Sequence, residues 1–168
     1  MKNTKKHSLS KSLRSTFGFL IIILIIPTIY SVVVLQIHTR QYDDIITNVG
    51  AANRINQIAK NDIPHELWDI VCGRKNFNDG DQYFMVRQIF KGIADMQSHT
   101  KSKDNIEKLE VAYRACTTLY RNIQLLQDQM EKGSSVTANE TSLAEIRTIS
   151  ALFEDIMQNI ILSEIDTE

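Results

Sequence analysis

Residues Phe17 to Leu35 read FGFLIIILIIPTIYSVVVL, nineteen consecutive positions without a charge. At the rise of an α-helix this run spans about 28 Å, close to the roughly 30 Å hydrocarbon core of a bilayer. A core helix of a soluble protein keeps a polar edge over such a length, and this run has none. Pro27, in its middle, is costly in a water-facing helix but tolerated in a membrane one. A cleaved signal peptide has an apolar stretch of about 7–15 residues followed by a small-x-small cleavage site. This run is longer, and no such site follows Leu35. It reads as an uncleaved transmembrane anchor with membrane lipid as its partner.

The flanks orient it. Lys2, Lys5, Lys6, Lys11 and Arg14 precede the span, whereas His38 and Arg40 follow it with Asp43 and Asp44 beside them. The positive-inside rule predicts a cytoplasmic basic tail over 1–16, a transmembrane helix over 17–37 and an extracytoplasmic domain over 38–168. The formal net charge of -1 hides this asymmetry, because all 20 acidic residues lie beyond residue 16. With no basic stripe to neutralise phosphates, a nucleic-acid partner is not expected.

Pro (2) and Gly (6) are scarce, which disfavours a turn-rich β fold. Apolar residues instead recur at helical spacing: Val49, Ala52, Ile55 and Ala59; then Phe84, Met85, Ile89, Ile93 and Met96. Ile106, Leu109, Tyr113, Cys116, Tyr120, Ile123 and Met130 follow, and finally Leu143, Ile146, Ile149, Phe153, Ile156 and Ile160. Asp62 and Pro64 are expected to end the first helix and begin the next, since proline suits a first turn and disfavours helix just before it. Gly73 and Gly80 bracket a loop, Ser102 or Asp104 caps a helix, and Gly133 stops one. The fold class expected is all-α, the membrane helix continuing into an extracytoplasmic four-helix bundle. Passes at 36–62, 103–131 and 138–165 would measure about 40, 43 and 42 Å. An even number of passes would bring Glu168 back level with Gln36.

Chemistry-bearing motifs are few. His7, His38, His65 and His99 are isolated from one another and from the cysteines, so no metal site is expected. No glycine-rich phosphate loop and no GxSxG occurs, and neither a catalytic residue set nor a cofactor is expected. Cys72 and Cys116 are expected to remain unbonded, one near the distal end and the other midway along a helix. Asn139-Glu140-Thr141 matches a glycosylation sequon placed in a loop. The densest patch is 62–83, where His65, Trp68, Arg74 and Lys75 are candidate ligand-binding residues. They offer an aromatic wall and a guanidinium able to grip a carboxylate or phosphate. The competing reading packs Ile63, Leu67, Ile70 and Val71 in the distal core and leaves Arg74 and Lys75 solvated; it takes precedence, as it does for Tyr113 and Tyr120.

On these residues the chain resembles the N-terminal sensing portion of bacterial membrane-bound sensor histidine kinases. The resemblance rests on the basic N-terminus, the anchor at 17–35, the ANRINQI segment beyond it, the IPHELWDIVCGRKNF patch, and Glu145-Ile146-Arg147 on the last helix. It implies a signal-input module of a two-component system. Such a module is expected to be a homodimer that senses a small-molecule or protein stimulus outside. A second span and a histidine kinase domain, absent from these 168 residues, would carry the output. A chemotaxis-receptor input domain and a stand-alone membrane-anchored adaptor are the alternatives.

Overall fold

The computed structural model describes the backbone of residues 4–100 and 102–166, with side chains for 13–100, 102–135 and 137–164. All regular structure among the described residues is helical: α1 (Thr4–Gln57), a π-helical turn (Ile58–Asp62), α2 (Ile63–Val71), a 3-10 turn (Phe77–Asp79), α3 (Gln82–His99), α4 (Lys103–Glu131) and α5 (Val136–Asp166). The chain divides into two compact units, residues 1–43 and 44–168.

The first unit is helical, and every residue from Leu13 to Val33 is exposed. The helix is long and apolar enough to cross a membrane. Its polar side chains turn back onto it: Thr28 Oγ1 donates to the Leu24 carbonyl at 2.7 Å. The bond satisfies the hydroxyl within its own helix.

The second unit buries a continuous core that runs from Ala52 through Ile63, Leu67 and Ile93 to Leu119, Phe153 and Ile160. Its helices alternate in direction. Arg54 on α1 bonds Gln88 on α3, and Tyr83 on α3 bonds Gln127 on α4. Ser142 on α5 bonds Gln129 on α4, while Asn105, early in α4, bonds Glu164, late in α5. Lys60 of the π turn meets Glu154, and Trp68 on α2 meets Arg147, so α5 also runs antiparallel to the first helical stretch. The last turns of α5 therefore return toward the Asn48 end of this unit. Glu168 itself lies outside the described residues.

Local sequence accounts for the ends. Ser102 caps α4, its hydroxyl accepting from the Asn105 amide. Gly73 and Gly133 adopt φ of 73° and 70°, the left-handed conformation that stops a helix. At each, the next amide reaches back into the last turn: Arg74 N to the Asp69 carbonyl, Ser134 N to the Gln129 carbonyl.

The structure departs from the sequence expectation at four places. Pro64 does not separate two passes. Helix continues through the π turn into α2, and the chain reverses only at 72–81. A proline ring clashes with the carbonyl four residues back, here Lys60, and supplies no amide. The wider turn relieves this, with Ile63 N donating five residues back to the Ile58 carbonyl. Second, Tyr113 and Tyr120 do not line the core; they are 50% and 37% exposed. The buried seam of α4 is Leu109, Ala112, Cys116, Leu119, Ile123 and Leu126, where small alanines let neighbouring helices approach. The tyrosines flank that seam instead, Tyr113 edge-on to Phe90 at 5.0 Å and Tyr120 against Tyr83 at 5.5 Å. Third, Phe84 is exposed, and Val86 takes the core position beside it. Fourth, Asn139 lies in the first turns of α5 with its side chain buried, not in a loop, so the sequon is closed to modification. Cys72 and Cys116 are both free, the first exposed and the second buried.

Candidate functional site

Helix α2 is short and strongly two-sided. Ile63, Leu67 and Ile70 face the core, which turns His65, Trp68 and Asp69 outward or to the edge. The four sequence candidates separate here into two pairs.

Lys75 and Arg74 serve the loop. Lys75 Nζ donates to Glu66 Oε1, and the same oxygen accepts the Asp81 amide at 2.9 Å. One carboxylate thus ties both ends of the 72–81 reversal to α2. Burial alone would raise the Glu66 pKa, but the Lys75 hydrogen bond, the Asp81 amide and the Lys75 charge together bring it below the usual carboxylate value. The Lys75 pKa rises correspondingly, chiefly through its bond to Glu66. Arg74 Nη1 lies 3.3 Å from Asp69 Oδ1, a charge contact beside the backbone bond between the same two residues. Both cations thus have carboxylate neighbours, Arg74 at the exposed surface and Lys75 half-buried.

His65 and Trp68 stand together in an open cleft of about 480 Å³ lined also by Lys60, Asn61, Asp62, Pro64 and Arg147. The volume falls within the range of small-molecule sites. Trp68, 37% exposed, forms one wall, and the Arg147 guanidinium lies over its ring at 5.9 Å. Such stacking contributes about 0.5–1 kcal/mol at an exposed site. At one end Lys60 Nζ is held by Glu154 Oε1 at 2.6 Å. His65 is mostly exposed, its Nε2 3.8 Å from Asp69 Oδ2. The π turn forms the floor and Pro64 its edge. π turns recur at functional sites.

Arg147 and Lys60 were not among the ligand candidates drawn from the sequence. A signal for Arg147 existed: it is the one basic residue between 136 and 166, on a helix that also carries Glu140, Glu145, Glu154, Asp155 and Glu164. Its partner could not be read without the direction in which α5 runs past α2.

A second hollow lies on the other side of the π turn, lined by Arg54, Gln57, Ile58, Asp62, Asp81, Phe84, Met85 and Gln88. Among the described residues no three His, Cys, Asp or Glu side chains gather to hold a metal ion. The buried Cys116 thiol is pushed up to about 12 by desolvation, which makes it unreactive. The chain matches no family model, and no curated protein or solved structure is similar to it.

Proposed function

We propose that this chain is the signal-input module of a membrane-bound sensor. Residues 17–37 anchor it, 1–16 form a cytoplasmic tail, and 38–168 form an extracytoplasmic four-helix bundle. The observation that supports this reading is the pairing of two kinds of surface. The helix exposes every residue from Leu13 to Val33, and from Phe17 onward that surface carries no charge, which suits a lipid phase over that length. The packed unit beyond it carries charged surfaces and an open cleft. An input module needs a receptive surface and helices able to shift. A histidine kinase output is the continuation that the sequence resemblance implies.

The native cysteines test the topology. Cys72 is exposed and Cys116 is buried with its thiol pKa near 12, so a membrane-impermeant maleimide should modify Cys72 alone. Labelling of intact cells, lost in Cys72→Ser, is the expected result. Labelling only after permeabilisation would place the domain inside. Release of a shortened protein into the medium would make the span a cleaved signal. For the output, the coding frame beyond Glu168 should enter a second apolar span and a kinase domain. A methylation-helix output there would end the kinase reading.

A further inference from the structure

We propose that the cleft between α2 and α5 binds an oxyanion, a carboxylate or phosphate carried on a small molecule, with Arg147 as its clamp and Trp68 as the wall against which the body of the ligand stacks. This rests on reading the helical unit as the input end of a sensor.

The argument begins with which charges are already matched. Around α2 the cations are paired: Lys75 with Glu66, Arg74 with Asp69, and Lys60 with Glu154. Arg147 differs. Its neighbour is the Trp68 ring, and among the described residues no carboxylate pairs with it. With its central carbon 5.9 Å from the ring centroid, the guanidinium stays exposed, and its fork of N–H donors can receive an oxyanion with two parallel hydrogen bonds. Stacking also restricts the side chain beforehand, so less rotamer freedom is lost on binding.

Charge is graded along the cleft. Arg147 and Trp68 are level with each other, whereas Asp62, the one acid in the lining, lies nearly two helical turns from Trp68, about 9 Å at the helical rise. An anion therefore seats at the Arg147 end, with His65 one turn from Trp68 on the same side of α2. Lys60, neutralised by Glu154, adds little attraction and leaves Asp62 to repel an anion at the far end. The wall that would meet the ligand body is the exposed portion of the chain's single tryptophan.

That single tryptophan makes the test direct, because all indole fluorescence of the protein originates in this cleft. The full chain in detergent micelles is titrated with sodium benzoate, inorganic phosphate and, as the uncharged analogue, benzamide. The expected result is a saturable change in emission with benzoate or phosphate at millimolar concentration or below, and none with benzamide. Benzoate binding more tightly than phosphate shows that Trp68 contributes stacking; equal binding shows that the oxyanion alone is recognised. In Arg147→Gln the affinity should fall at least tenfold, and in Arg147→Lys by less. Arg147 is exposed, so both variants should keep the helical circular dichroism of the parent. An equal response to benzamide and benzoate, an unchanged affinity in Arg147→Gln, or no saturable response to either anion overturns the proposal. Any of these would leave the Cys72 topology result standing, so the two readings fail separately.

Discussion

Glu66 shows what one side chain does for a turn. It holds Lys75 and the Asp81 amide together, and without it the reversal between α2 and α3 loses its tie to the helix. Its pKa in the folded protein is depressed, so its contribution is complete above the unfolded carboxylate value and fades as pH falls through the folded one. Lys75 contributes in the opposite sense, fully below the unfolded lysine value and lost only in strong alkali. Glu66→Gln should therefore cost about 1 kcal/mol in urea unfolding near pH 7, and the difference from the parent should shrink as pH falls through the folded carboxylate value. A difference that persists in acid would assign the cost to shape, not charge. The roles of Glu66 and Lys75 were hidden in the sequence, since spacing shows that two charges are near each other only when the turn between them is known. His65 and Trp68 were legible because a short amphipathic segment dictates its own outward face. Tyr113 and Tyr120 misled for a simple reason. Large apolar rings at three-four spacing outweigh alanines on paper, but the packed seam selected Ala112 and Ala115 for their small size.

At the scale of elements, the helical content, the α4 boundaries and the stop at Gly133 could be read from periodicity and capping residues. The passage through Pro64 could not. A proline reads as a break, and its accommodation by a π turn depends on packing on both sides that no local pattern records. The π turn holds one residue more than an α-turn, so Asn61, exposed within it, can be removed without rotating the core positions on either side. The deletion would, however, set the Pro64 ring against a helix carbonyl, at about 3 kcal/mol. Deleting Asn61 alone should thus destabilise by roughly that amount, and deleting it in a Pro64→Ala background by much less, as read by thermal or urea unfolding of both pairs. Equal costs in the two backgrounds would show that proline is not why the turn is wide. The same double variant narrows the floor of the cleft, so its tryptophan emission should differ from that of the parent.

At the scale of the molecule, the apolar span dominated the reading because nineteen uncharged residues in one helix are long and apolar enough to cross a membrane. Arginine at Ile25 and Ile26 should raise the cost of insertion by about 2.5–3.5 kcal/mol each. The chain should then leave the alkali-resistant membrane fraction while the helical unit keeps its circular dichroism. Retention of the double variant would mean that the span is not what holds the protein to the membrane. The order in which the packed unit is made adds a kinetic consequence. Helices α3, α4 and α5 are each a short connection from the next, so their hairpins form from local contacts and should assemble quickly. The π turn and α2, by contrast, obtain one wall from α5, which is synthesised after α3 and α4. During translation, Ile58, Ile63 and Leu67 wait for a partner that emerges only after α3 and α4. Ring closure by α5 is then the step that both finishes the core and brings Arg147 over Trp68. A chain cut before α5 carries half a cleft, because Arg147 is then missing from beside Trp68.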